Sequence, residues 1–401
     1  MAPSLEAAPT LGRRSFVAAA IFLGCLQTIA YGTLYYPFAV LKQPMASSGV
    51  DSRLLLAAVS GAFLIGGLLA PYVGRFIDKG DGRKVMALGT VAGGLACAVM
   101  GFTENLALLF VAVLLLGMAF GSSLYDAAFS TIVRIVPCDG RTGITLITLV
   151  AGFASTVFWP LTHFLESSVG WQATWHIYAA LNIAVAAPAY LLLPAPVPSA
   201  PPLHQAVRSP DRKRDLRHRQ IFVLLAVAFS ANSLVAATLS IQVIDLLKRT
   251  GLEATNAVSA ASLIGAAQVV GRLSEFLLRK NIEVSATAMF ALTCLPLALV
   301  LLLLTDSYIL ATAFVVLYGV SNGLVTIVKG ALPLSLFGPD GYGSLMGRLA
   351  SPQLVAESLA PFVSAVAIVS LGDRMSIGIL LALACLSLLA MITLIASRPR
   401  S

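Results

Sequence analysis

Charge is what this chain has least of. Only 11% of its 401 residues are Asp, Glu, Lys or Arg, against the ~25% of an ordinary soluble domain. A water-soluble globule of this composition could not cover itself with polar groups. Histidines number four, and the five cysteines (Cys25, Cys97, Cys138, Cys294, Cys385) stand singly. No metal-ligand spacing and no disulfide framework can be read from them. A P-loop is absent, as is any Ser/His/Asp or metal constellation at usable spacing, which argues against an ATPase and against an enzyme. No cofactor is expected. No loop exceeds the central linker, so a membrane sensor with an added soluble domain is also disfavoured.

What the chain has instead is long apolar runs. Hydrophobic residues make up 58% of it, with a mean hydropathy of +0.90. A bilayer core of about 30 Å needs roughly 20 apolar residues in a helix. Runs of that length fall near 15–41, 52–73, 85–103, 106–135, 142–166, 173–194, 220–247, 254–278, 284–304, 308–337, 344–371 and 375–396. The expected fold is an all-α membrane protein with twelve transmembrane helices. The 32 Gly and 20 Pro are compatible with it, since membrane helices tolerate both. The first run has no small-residue cleavage site and is too long for a signal-peptide core, so it is read as a helix.

The net charge of +8 is distributed by side. If the N-terminus is inside, 20 of the 26 Lys and Arg fall in or at the edges of the even-numbered loops and the two tails. Lys42, Arg53, Lys248, Arg249 and Arg374 fall on the other side, and Lys329 lies within a span. This positive-inside asymmetry implies a multi-pass protein of the cell (inner) membrane with both termini in the cytoplasm. It also removes the need for a nucleic-acid partner.

Composition breaks once, at a Pro-rich spacer followed by Arg208, Arg212, Lys213, Arg214, Arg217 and Arg219. Such a segment suits a cytoplasmic linker beside anionic lipid headgroups. The chain then divides into a tail (1–14), a six-helix bundle (15–194), the linker (195–219), a second six-helix bundle (220–396) and a tail (397–401). The halves echo each other. Gly74-Arg75-Phe76-Ile77-Asp78 followed by Arg83-Lys84 repeats, 197 residues on, as Gly271-Arg272-Leu273-Ser274-Glu275 followed by Arg279-Lys280. Gly117, Gly121 and Pro160 are matched by Gly319, Gly323 and Pro361. Duplicated six-helix units with a solute site between them are a plan of secondary transporters.

The segment from Gly74 to Lys84 resembles the loop 2–3 signature of the major facilitator superfamily, Gly-x-x-x-Asp-(Arg/Lys)-x-Gly-Arg-(Arg/Lys), with one extra residue between Lys79 and Gly82. The resemblance extends over the chain and implies two pseudo-symmetric six-helix bundles. It implies a latch at Gly74, Arg75, Asp78, Arg83 and Lys84 that stabilises the outward-open state, with a second copy at Gly271, Arg272 and Glu275. Drug–proton antiporters of the superfamily carry an Arg in span four where this chain has Val113. They also carry a Gly-Pro motif in span five that Gly152–Val157 lacks. A standard drug–proton mechanism is therefore not expected.

A charge at membrane depth is expensive and usually faces a cavity or a partner. Asp126, Lys329 and Glu357 are such groups, and Lys329 falls one residue from the position of Asp126 when the glycines of spans four and ten are superposed. Polar stripes at helical spacing run through Gln27, Tyr31 and Tyr35; Ser122, Asp126, Ser130 and Arg134; Thr238, Gln242 and Asp245; and Asn322, Thr326 and Lys329. These lie on spans one, four, seven and ten, the helices that the resemblance implies for the cavity. Asp126, Lys329, Glu357, Gln27, Tyr31, Tyr35, Asn322 and Gln242 are the expected solute- or proton-binding residues. Asp126 and Lys329 could also form a structural pair. A carboxyl group stripped of water can exchange a proton, which makes Glu357 a coupling candidate. Arg272 becomes an anion clamp if it lies deeper than a latch residue would.

Together these features point to a monomeric secondary transporter of a small organic solute, coupled to protons and working by alternating access. The alternatives are an organic-anion or oxyanion exchanger with Lys329 as the anion site, and an exporter of a toxic compound.

Overall fold

In the absence of water every backbone N–H and C=O must find a partner within the chain, and apolar runs solve this as helices. The computed structural model describes residues 13–102, 106–136, 139–195, 212–305 and 307–397, and among them there is no strand. The first half comprises α1 (Arg13–Leu34), α2 (Pro37–Ser47), α3 (Ser52–Phe76), α4 (Gly82–Gly101), α5 (Leu106–Ser123), α6 (Tyr125–Ile135), α7 (Gly140–Ala151), α8 (Ala154–Ala180) and α9 (Ala187–Leu191). The second comprises α10 (Arg212–Arg249), α11 (Ala254–Leu278), α12 (Val284–Leu303), α13 (Tyr308–Phe337), α14 (Tyr342–Leu371) and α15 (Asp373–Ala396).

Among the described residues nine stretches are long and apolar enough to cross a membrane, and two of them, Arg53–Gly101 and Gly140–Leu191, run to 49 and 52 residues. At 1.5 Å per residue each would reach more than twice the ~30 Å hydrocarbon thickness. Each folds back at a glycine with left-handed backbone, Gly80 (φ 96°) and Gly170 (φ 83°). Divided there, the nine stretches make eleven segments, and the 30-residue α14 is long enough to be a twelfth, a number compatible with the twelve expected passages. The tails (1–12 and 398–401) and linker residues 196–211 lie outside the described residues. The basic end of the linker, from Arg212, forms the first turns of α10.

Helix breaks were not expected from the apolar runs. The first span bends where α1 gives way to α2 before Pro37, whose ring cannot continue a helix. The fourth is cut at Leu124, which is extended (φ −91°, ψ −168°) between α5 and α6. The fifth is interrupted at Gly152 and Phe153, between α7 and α8.

The repeat seen in sequence is a repeat in packing. In the first half α5 lies on α3, with Gly117 against Ile65 and Gly121 against Gly66. In the second α13 lies on α11, with Gly319 against Ile264 and Ala267 and Gly323 against Gln268. The halves meet along α3 and α14, and where α7 touches α11 and α13. Small residues let these backbones close up. A Cβ on Gly74, for instance, would run into the carbonyl of Gly343.

The core has three large parts. One holds residues of both halves, among them Phe16, Phe129, Ile132, Ile144, Leu225, Val328, Ala331 and Tyr342, and lies toward the end that carries the α3–α4 turn. The other two belong to one half each: Leu34, Leu55, Phe120 and Trp175 in the first, Val235, Leu246, Phe314 and Leu380 in the second. The halves are thus fused at the basic end and have separate cores toward the other.

Candidate functional site

At the basic end the halves exchange carboxylates. Asp78, beyond the last turn of α3, accepts from the backbone N–H groups of Gly343 (2.8 Å) and Ser344 (2.7 Å) and from the Ser344 hydroxyl (2.5 Å). These are the free donors of the first turn of α14, whose own N-cap residue, Gly341, has no side chain to offer. A carboxylate there also meets the positive end of the helix dipole. Arg75, Lys79 and Lys84 do not pair with Asp78. Arg75 lies over the Tyr72 ring, Lys79 over Phe76, and Lys84, itself exposed, pairs with Asp81. Arg83 donates to the Leu193 carbonyl (2.9 Å).

The reciprocal contact comes from the second half. Glu275 on α11 is buried and accepts from Arg141 Nη2 (2.7 Å) and Nε (3.1 Å) and from the Thr145 hydroxyl (3.1 Å), all on α7. Arg141 also donates to the Ile282 carbonyl. In the sequence Arg141 carried only a topological signal, with nothing to mark it as a partner.

Arg272 does not join this second latch. It is 6% exposed and points inward, against the point where α7 gives way to α8, so closely that a Cβ at Gly152 would overlap its Nη1. Its Nε–H has no acceptor among the described residues. Its charge acts on the hydroxyls of Tyr36 and Tyr125, and Ser155 is close to the Tyr36 hydroxyl. Tyr36, Tyr125 and Ser155 were not among the expected contact residues.

Farther along α13, Lys329 donates to Ser233 on α10 (2.6 Å) and lies 3.9 Å from the Glu357 carboxylate on α14. Asp126, in the first turn of α6, lies within the field of both. No ion pair joins Asp126 to Lys329 among the described residues; the partner of Lys329 is Glu357. Tyr31 and Tyr35 are also within reach of the Glu357 charge. Asn322 and Gln242 are half-buried on α13 and α10. Gln27 faces elsewhere. It is wholly buried within the first half, donating to the Ser123 carbonyl (2.8 Å), left free by the α5–α6 break, and to the Tyr190 hydroxyl (3.2 Å).

Two helical bundles joined at one end, with one buried and three half-buried ions gathered between them, define a membrane transport protein rather than an enzyme. The chain belongs to the major facilitator superfamily, whose family model matches residues 21–361. It is similar to the purine ribonucleoside efflux pump NepI of Escherichia coli O1:K1 / APEC, at 23% identity over 299 residues, 73% of each chain. The NepI of E. coli O157:H7 matches to the same extent. Among solved structures, the human organic anion transporter MFSD10 (TETRAN) has the same fold, with a TM-score of 0.74 over 94% of this chain and 99% of that one, at 18% identity.

Proposed function

We propose that this protein is a secondary active transporter of the inner membrane that moves a small organic anion together with a proton by alternating access. The observation that carries the reading is Arg272, a buried guanidinium between the halves whose Nε–H has no acceptor among the described residues. A cation so placed is matched by a carboxylate or similar oxyanion, which a guanidinium holds through paired charge-assisted hydrogen bonds. Lys329 is the weaker anion candidate because Ser233 and Glu357 already engage it.

Charge balance supplies the coupling. Empty, the site holds two cations (Arg272, Lys329) and two carboxylates (Asp126, Glu357), which sum to zero. An anion alone would leave it negative, and each elementary charge carried across the membrane is worth ~2.3 kcal/mol per 100 mV. One proton on Asp126 or Glu357 restores neutrality, so anion and proton load together. Positive-inside topology sets the basic end in the cytoplasm. The fused core and both latches then close the cytoplasmic side, and the separate outer cores correspond to an outward-facing state. NepI is named for purine ribonucleosides, neutral solutes that would leave Arg272 unmatched.

Reconstitution into proteoliposomes tests this. Organic-anion flux should follow an imposed pH gradient and be indifferent to membrane potential. Flux that responds to potential and ignores the pH gradient would sink the symport.

A further inference from the structure

The two sides of the site differ in kind. The first half faces the charges with rings. Tyr31 and Tyr125 lie 4.5 Å apart between centroids, Tyr36 lies 6.3 Å from Tyr31 and 5.3 Å from Tyr35, and Trp159 lies 5.8 Å from Tyr36. Tyr125 is stacked in turn on Phe129 at 5.3 Å and 15°. The four tyrosines are only partly buried. All four lie within the field of a charge on the other half, Tyr36 and Tyr125 of Arg272, Tyr31 and Tyr35 of Glu357. In the second half the described ring contacts are Phe314–Tyr318 and His218–Phe337.

We infer that the solute is a flat, conjugated monoanion of the aromatic carboxylate class, its charged group on Arg272 and its ring against the tyrosine wall formed by Tyr31, Tyr36 and Tyr125. This rests on the anion reading above and narrows it. One cation with an unmet donor calls for a single negative charge, since Lys329 already has its carboxylate. An alkyl chain would be served as well by Leu or Val, which make up most of this protein's helices. A run of phenol rings set beside a guanidinium instead offers π-faces for stacking and edge-to-face contact, with the Tyr36 and Tyr125 hydroxyls close to where the anionic group would lie.

The test compares benzoate with cyclohexanecarboxylate, equal in charge and close in size but different in flatness, by calorimetric binding to the purified full-length protein and by competition for flux in proteoliposomes. Benzoate is expected to bind at least tenfold more tightly, about 1.4 kcal/mol. Tyr31→Leu with Tyr36→Leu should reduce that preference to within about twofold while cyclohexanecarboxylate still binds. Equal affinity of the two acids in the unaltered protein, with binding still lost in Arg272→Gln, would overturn the aromatic inference and leave the anion reading standing. If neither acid binds, or if both bind Arg272→Gln undiminished, the anion reading falls and takes this inference with it. The first comparison needs no variant, so the inference stays exposed even where the double substitution does not fold.

Discussion

The two halves share a scaffold and divide the labour. Their fourth helices pack on their second through glycines at matching positions, and at the basic end each half sends a carboxylate to the other. Facing the site, the first half presents tyrosines and one carboxylate, whereas the second presents Arg272, Lys329 and Glu357. A duplicated fold makes alternating access mechanically simple. Chemical recognition needs the copies to differ, and here the difference is rings against ions.

The comparison breaks most sharply at Arg272. Arg272→Gln removes the charge that the rings surround and should lower organic-anion uptake at low substrate by about 100-fold, the loss of two charge-assisted hydrogen bonds. Tyr36→Phe should lower it by less than about threefold, since the ring face remains. Initial rates in proteoliposomes check both. If the two substitutions cost the same, the division into an ionic half and an aromatic half is wrong.

The carboxylates come next, one from each half. Asp126→Asn or Glu357→Gln at the coupling position should cut pH-driven accumulation by about tenfold while anion counterflow persists, because exchange needs no net proton movement. Flux that tracks the pH gradient unchanged in both variants would remove the protons from the mechanism. The variant with the larger effect says which half carries the proton.

The latches sharpen the symmetry itself. Asp78 serves a helix N-terminus through three hydrogen bonds, and Glu275 holds an arginine and a threonine. Asp78→Asn and Glu275→Gln should each favour the cytoplasm-open state by about 1.5–3 kcal/mol, roughly the worth of hydrogen bonds to a charged group. Thiol labelling of single cysteines at the cytoplasmic seam measures the shift. Labelling that rises in only one variant would make one copy of the latch idle. The smallest effect belongs to Gly152→Ala, whose Cβ would displace the Arg272 guanidinium. KM should rise about fivefold with little change in the maximal rate, the signature of lost substrate binding.

Much of this was legible in the sequence where one local signal decides the structure. The apolar runs 254–278 and 308–337 became α11 and α13 at the same bounds, because an apolar run in lipid has no alternative to a helix. The break at Leu124 was not legible. Ser122-Ser123-Leu124-Tyr125 contains neither Gly nor Pro, and the interruption is held by Gln27, which is remote in sequence. The stripe Gln27–Tyr31–Tyr35 overreached for a geometric reason. Steps of four residues turn a little more than one full turn of 3.6, so the ends of the stripe drift apart around the helix. Gln27 lies inside the half, while Tyr31 and Tyr35 lie near Glu357. Arg272 could be placed only in three dimensions, since what admits it is the irregular stretch at Gly152 on another helix.

The break at Leu124 has one more consequence. α6 is a separate 11-residue segment that touches α14 and α7, while α5 stays against α3 and α4. Asp126 therefore sits on a short segment set off from the rest of its own span by an extended residue. In the alternating-access mechanism proposed above, the break would let the Asp126 carboxyl group shift with α14 and α7 without carrying the whole of α5 along. The chain thus has a joint inside one half as well as between the two.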